Sequence, residues 1–226
     1  MKKVVFVILT IVITACSQSP EQKANALIQE KVKNSLYHPE TYEAVETVID
    51  SAFAPKDDPV FHEKILKLYH LCKDVQKNQE KANDAERSMS LWKSPYMSEY
   101  GHIRYNEAKQ EYDDCVKQKE KLINKIQKTN KELEKIAEPG RRFIGFKVTH
   151  KFRAQNNAGN TLMGEYVFIL NEDLTKILAS YDTDSEDYIG VQAFYQHLEE
   201  AEEEAEEVEE EAEEVEEEAE EAAEED

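Results

Sequence analysis

Glycine, proline and cysteine are scarce in this chain of 226 residues, with six glycines, six prolines and three cysteines. No glycine occurs between residues 21 and 100, and one occurs between residues 101 and 139. Glycine and proline are the residues that interrupt helices. Their scarcity therefore favours long helices in the middle of the chain.

Sequence motifs of catalysis are also absent. His62 and His70 are eight residues apart, and no HExxH, CxxC, GxSxG or phosphate-binding loop occurs. A calcium-binding loop of the EF-hand type is missing as well. We therefore expect no catalytic residue, no metal ligand and no cofactor, and the sequence does not predict an enzyme.

The negative charge of the chain is concentrated at its end. Of the 49 acidic residues, 20 lie in residues 199–226, which contain no base; this leaves 29 acids against 28 lysines and arginines. Residues 1–198 are therefore nearly neutral, whereas nucleic-acid binding needs an excess of positive charge on one surface. We expect no nucleic-acid partner.

The first residues have the pattern of an export signal. Lys2 and Lys3 precede an apolar run, residues 4–14, that is shorter than the roughly 20 residues a membrane-spanning helix requires. The segment Ile13-Thr14-Ala15-Cys16 resembles the lipobox of bacterial lipoproteins. The resemblance implies cleavage after residue 15, lipid on Cys16 and a membrane anchor in the cell envelope. Ser17 favours the outer membrane, and the alternative is an ordinary signal peptide with a chance cysteine.

Heptad patterns predict an antiparallel coiled-coil hairpin within residues 56–139. Residues 93–98, with Pro95, supply the turn. The apolar seam of the first arm consists of Phe61, Ile65, Leu68, Cys72, Val75, Ala82 and Met89, with Gln79 and Glu86 as polar exceptions. The seam of the second arm consists of Tyr105, Ala108, Tyr112, Cys115, Leu122, Ile126, Thr129, Leu133 and Ile136, with Lys119 as a polar exception.

A disulfide between Cys72 and Cys115 is predicted from this pattern, because both cysteines lie on a seam and the compartment is oxidising. Placing them opposite each other pairs Gln79 with Ala108 and Leu68 with Lys119. The alternative is two free thiols buried in the seam.

Alternating residues predict a small sheet on both sides of the hairpin. We expect strands at residues 42–49, 144–154, 162–170 and 174–180, and a helix at residues 21–36. The predicted fold is α+β: a helix packed on an antiparallel four-stranded sheet, with the hairpin inserted between its first and second strands. The predicted boundaries are 1–15 signal peptide, 16–23 lipidated tether, 24–55 helix and first strand, 56–139 hairpin, 140–182 remaining strands and 183–226 acidic tail.

Two short runs carry a second resemblance. They are Leu36-Tyr37-His38-Pro39-Glu40-Thr41-Tyr42-Glu43 and His150-Lys151-Phe152-Arg153-Ala154-Gln155-Asn156-Asn157-Ala158-Gly159. Together they are similar to small, uncharacterised lipoproteins of Gram-negative gut anaerobes. That resemblance implies a compact α+β module and no mechanism.

The acidic tail repeats the unit Glu-Glu-Glu-Ala-Glu-Glu-Val, and three interpretations compete for it. The first is a solvated low-complexity segment, partly disordered because like charges oppose a helix. The second is docking to a basic surface, either on another protein or on a stripe of lysines in this one: Lys117, Lys119, Lys121, Lys125, Lys128, Lys131 and Lys135. The third is weak accumulation of cations.

Three side chains outside the predicted core are candidate sites. Trp92 and Tyr96 beside the hairpin turn are a candidate surface for a protein partner, or they cap the coiled coil. Ser51 in Asp50-Ser51-Ala52 resembles an O-glycosylation site, which requires an exposed loop. His150 lies on the apolar face of a strand and is interpreted as a core histidine.

The leading functional hypothesis is a non-enzymatic envelope lipoprotein that presents the hairpin to an unidentified envelope protein. One alternative is an envelope enzyme or inhibitor with a cleft in the sheet domain. The other is a lipid-tethered acidic spacer or cation buffer.

Overall fold

The structure is a computed structural model that describes residues 19–94 and 98–197. The elements in chain order are helix α1 (Pro20–Lys33), a 3-10 turn (Pro39–Thr41), strand β1 (Glu43–Ala54), helices α2 (Pro59–Trp92) and α3 (Glu99–Ala137), and strands β2 (Arg142–Gln155), β3 (Thr161–Leu170) and β4 (Ile177–Asp182). Residues 186–197 form a further helix, α4. The predicted signal peptide, Cys16, Tyr96 and the tail beyond residue 197 lie outside the described residues.

The fold is α+β, as predicted. The four strands form one antiparallel sheet in the order β1-β2-β3-β4, and the hairpin of α2 and α3 is inserted between β1 and β2. Helix α1 covers one face of the sheet, because Ala24, Ile28 and Val32 recur every four residues and pack in one cluster with Val148 and Phe168.

Helix α1 begins inside the predicted tether. Ser19 caps it, since the backbone N–H of Gln22 donates to Ser19 Oγ (3.2 Å) and the backbone N–H of Ser19 donates to Gln22 Oε1 (3.1 Å). Pro20 fits the first helical turn, where its missing N–H leaves no unmade bond. The helix predicted at residues 21–36 is present, and it begins one residue earlier and ends three residues earlier than predicted.

The predicted fourth strand is also misplaced at its start. Residues Leu174 to Lys176 belong to a turn: Leu174 has a φ of 54°, and the side-chain oxygen of Asn171 accepts from the backbone N–H groups of Thr175 (2.9 Å) and Lys176 (2.8 Å). Leu174 nevertheless has its side chain in the core under α1. An apolar residue that is buried from a turn is easily mistaken for the start of a strand.

The two helices of the hairpin pack in a different register from the predicted one. Lys119 donates to Gln79, whereas the prediction placed it opposite Leu68, eleven residues or about 16 Å earlier on the helix. Nearer the sheet, Lys64 Nζ and Glu132 Oε2 are 2.7 Å apart. The structure thus brings the two polar exceptions, Gln79 and Lys119, together.

This register separates the two cysteines. Cys115 lines a groove with Gln79, Ala82 and Asn83 of α2. Those residues lie seven to eleven positions beyond Cys72, which is about 10 to 16 Å along the axis, whereas bridged Cα atoms lie within about 7 Å. Both thiols are free, with Cys72 exposed and Cys115 buried. The predicted Cys72–Cys115 disulfide is wrong. The alternative, two free thiols buried in the seam, holds for Cys115 and not for the exposed Cys72.

Differential alkylation tests this placement. In folded protein without reductant, Cys72 is expected to react with a maleimide at least roughly tenfold faster than Cys115, because the buried thiol reacts only when the hairpin opens locally. Peptide mapping by mass spectrometry at successive times gives both rates, and unfolded protein serves as the control in which both react. If neither thiol reacts until a reductant is added, the two cysteines are bridged.

The second face of the sheet contacts the base of the hairpin through α4. Tyr188 of α4 packs against the cluster of Ala52, Val167 and Ile169 on this face. Val191 and Tyr195 of the same helix pack in a separate cluster on the hairpin. Ile65, Leu68 and Leu133 complete that second cluster. Helix α4, which the prediction included in the acidic tail, joins the two parts of the fold.

Candidate functional site

The tip of the hairpin contains the predicted partner surface. The rings of Trp92, at the end of α2, and Tyr100, in the first turn of α3, are perpendicular at 5.7 Å. The guanidinium of Arg104 lies over the Tyr100 ring at 5.3 Å and donates to its hydroxyl at 2.9 Å. Arg104 also pairs with Glu107 at 3.1 Å. These contacts fix the orientation of the Tyr100 ring.

Four large apolar side chains at this end of the hairpin face the solvent. The exposed fractions are 83% for Leu91, 36% for Trp92, 55% for Tyr100 and 51% for Ile103. Single exposed apolar residues are ordinary on protein surfaces, but clustered ones mark sites of interaction. Sequence reasoning identified Trp92 and missed Leu91, Tyr100 and Ile103. None of the four belongs to a predicted seam, which was the available sign that they could be exposed.

A second candidate lies where β4, α2 and α4 meet. The His62 ring of α2 is 4.1 Å from the Tyr181 ring of β4 and 6.4 Å from the Tyr188 ring of α4. Burial, and then the positive charge of Lys147, lower the pKa of His62. Burial raises the pKa of Tyr181 to about 12 and also raises that of Tyr188. The histidine is therefore neutral and the tyrosines are protonated at neutral pH.

The charged residues around this cluster are bound to the protein itself. Asp57 accepts the backbone N–H of Phe53 at 2.9 Å and pairs with Lys147 at 3.2 Å. Asp58 caps α2 by accepting the N–H of Val60 at 2.8 Å, and it pairs with Arg142 at 3.4 Å. Both carboxylates thus hold the start of α2 against the sheet.

The cavity at this junction is small. It has a volume of about 20 Å³, which is room for one water molecule. An open groove of about 370 Å³ beside it includes Asp182 and Asp187. These two carboxylates bond to Tyr166 (3.4 Å) and His70 (3.2 Å), respectively. The arrangement is a packed joint between the sheet and the hairpin. Sequence reasoning missed it because Tyr188, like the rest of α4, lies in the segment assigned to the acidic tail.

His150 occupies the position expected of a core histidine. Its Nε2 lies 2.8 Å from the Tyr42 hydroxyl, and its Nδ1 lies 2.9 Å from the Thr47 hydroxyl. Burial lowers its pKa, so the ring is neutral at neutral pH. Both ring nitrogens have hydroxyl partners and the side chain is buried, which agrees with the sequence interpretation.

The loop predicted at Ser51 is a strand. Because β1 continues to Ala54, Ser51 pairs with Phe146 of β2, and its side chain is exposed on an edge strand. O-glycosylation of Ser51 was expected to require an exposed loop. The side chain is exposed, but the backbone is part of a strand.

None of the helices within residues 19–94 and 98–197 is long and apolar enough to cross a bilayer. The same residues contain no group of three side chains placed to hold a metal ion.

Comparison of the chain with protein-family models, with curated proteins and with solved structures gives no significant match.

Proposed function

We propose that this chain is a non-enzymatic lipoprotein of the bacterial cell envelope that binds a partner protein through the tip of its hairpin. The observation that carries the proposal is the exposure of Leu91, Trp92, Tyr100 and Ile103 together at the end of the hairpin. Water-exposed apolar area of this kind is stabilised when a partner covers it. The partner is expected to offer an apolar surface of its own.

The position of the tip supports this role. Helices α2 and α3 contain 34 and 39 residues, so the hairpin is about 50 Å long at 1.5 Å per residue. The sheet lies at one end and the exposed side chains at the other. Lipid on Cys16, three residues before the start of the described chain, would hold the sheet end near the membrane and let the tip reach a partner at a distance.

Lipidation is tested by metabolic labelling with an alkyne fatty acid in cells that make the full chain. Wild-type protein is expected to take up the label and to sediment with membranes, whereas Cys16→Ser does neither, because two or more acyl chains anchor a protein firmly. Cys72→Ser is the matched control and keeps the label. Label that persists in Cys16→Ser would remove the anchor from the proposal.

Partner binding is tested by placing a photo-crosslinking amino acid at Leu91 or Ile103 in the same cells. Each position is expected to give the same discrete protein adduct. The control position is Gln110, which is exposed on α3 away from the tip and is expected to give none. In a Leu91→Ser, Ile103→Ser background, crosslinking from Trp92 should fall roughly tenfold or more, since a few apolar anchors dominate most interfaces. Equal adducts at the tip and at Gln110 would show that the tip has no binding role.

A further inference from the structure

One side of helix α3 carries a concentration of lysines. Residues 117–135 of α3 contain seven lysines and three glutamates. Five of these lysines lie on one side of the helix, because they follow one another at steps of four, four, three and seven residues. They are Lys117, Lys121, Lys125, Lys128 and Lys135. All five side chains are exposed.

Helix α2 adds to the same surface. Glu132 is bonded to Lys64 at 2.7 Å, and its pKa is lowered first by that bond and then by the charges of Lys64, Lys67 and Lys128. Lys67 of α2 and Lys128 of α3 therefore both lie within electrostatic reach of Glu132, which is already paired with Lys64. We call the exposed lysines the basic face; they are Lys67, Lys117, Lys121, Lys125, Lys128 and Lys135.

The lysines of the basic face are held by no direct ion pair among the residues that the structure describes. The ion pairs of other lysines are visible, such as Lys147 with Asp57 and Lys151 with Glu46. The six lysines of the basic face form no such pair with any residue in 19–94 or 98–197. Six like charges along about 27 Å repel one another in the absence of an anionic partner.

We propose that the basic face is the docking surface for the chain's own acidic segment, residues 199–226. That segment carries 20 acids and no base, so its charge is complementary to the face and its own repulsion falls on pairing. The attachment point is suitably placed: Tyr195 donates to the backbone oxygen of Lys56 (3.4 Å) at the base of the hairpin. Lys135 lies at the same end of the hairpin, two residues before the end of α3.

The length of the segment is sufficient. From Lys135 to Lys117 the face extends about 27 Å, and the 29 residues from 198 to 226 can span up to about 95 Å when fully extended. A tethered segment also competes at a high effective concentration, in the millimolar range for short linkers. An acidic partner from outside must displace it.

Carbodiimide crosslinking of the full chain tests the proposal. The reagent joins carboxylates to lysine amines that are in direct contact, and mass spectrometry identifies the joined residues. Crosslinks from residues 199–226 are expected to fall on the basic face. They should weaken roughly tenfold between 20 mM and 1 M salt, because the screening length shrinks from about 20–30 Å to about 3 Å.

Two matched variants decide the assignment. Lys121→Gln, Lys125→Gln, Lys128→Gln, Lys135→Gln removes four lysines of the face, whereas Lys77→Gln, Lys81→Gln, Lys109→Gln, Lys176→Gln removes four exposed lysines elsewhere. The total number of crosslinks from the segment is expected to fall at least fivefold in the first variant and to stay near wild type in the second. Equal loss in both overturns the proposal. In a mixture of isotopically light and heavy chains, crosslinks between the two isotopic forms would assign the face to the segment of another copy and overturn the intramolecular pairing.

Discussion

Val191→Asp is expected to lower the free energy of unfolding by about 3 kcal/mol or more, because it places an unpaired carboxylate in an apolar cluster. Val191 is fully buried against Ile65, Leu68 and Leu133. Urea denaturation followed by circular dichroism measures the change.

Ile189→Asp is the matched control for that variant. Ile189 lies two residues earlier on the same helix and is 56% exposed, so the same charge is expected to change stability by no more than about 0.5 kcal/mol. Both variants add one negative charge to α4 and differ only in burial. Equal stability of the two would mean that α4 does not pack on the hairpin.

Gly145→Ala is expected to cost about 3 kcal/mol or more. Gly145 has a φ of 135°, and a Cβ at this position would lie 2.0 Å from the backbone oxygen of Leu170. An L-residue at this φ is strained, and the neighbour is backbone of the adjacent strand, so neither can relax without opening the β2–β3 ladder.

Gly159→Ala separates the two sources of that cost. Gly159 also has a positive φ, 79°, but nothing lies within 4 Å of its would-be Cβ. Its substitution should cost only the backbone term, about 1 kcal/mol. Thermal denaturation of both variants checks the comparison, and similar midpoints would contradict the close approach of Leu170 to Gly145.

The sequence predicts the elements of this fold better than their mutual placement. Heptad spacing over residues 61–89 and 105–136 identifies both helices of the hairpin, and alternation identifies β2 and β3. The register failed for a physical reason: apolar residues spaced three and four apart present a seam again after every whole helical turn, so a slide of eleven residues, or three turns, leaves the apolar pattern intact. The register that paired Cys72 with Cys115 placed both polar side chains opposite apolar ones. Gln79 faced Ala108, and Lys119 faced Leu68. Requiring these two polar side chains to meet would have given the observed arrangement.

The joint at His62 shows a different limit. Tyr181, Tyr188 and Tyr195 are distant from His62 in sequence and carry no local pattern that relates them to it. The contact of Tyr181 depends on how β4 lies against α2, and those of Tyr188 and Tyr195 depend on how α4 returns to the hairpin, which are tertiary features. Trp92 could be singled out because it adjoins a turn, whereas Leu91 and Ile103 matter only because the structure leaves them exposed.

The insertion of the hairpin between neighbouring antiparallel strands determines how a load at the tip would act on the protein. The pair Ala54 and Arg142 closes the β1–β2 ladder where the hairpin leaves the sheet. Tension that separates the two helices would reach this pair first. The hydrogen bonds between β1 and β2 would then break one pair after another from that end. Helix α4 would resist this separation, because its side chains contact both the hairpin and the sheet close to that pair. The stability of α4 would therefore determine how much force the protein withstands.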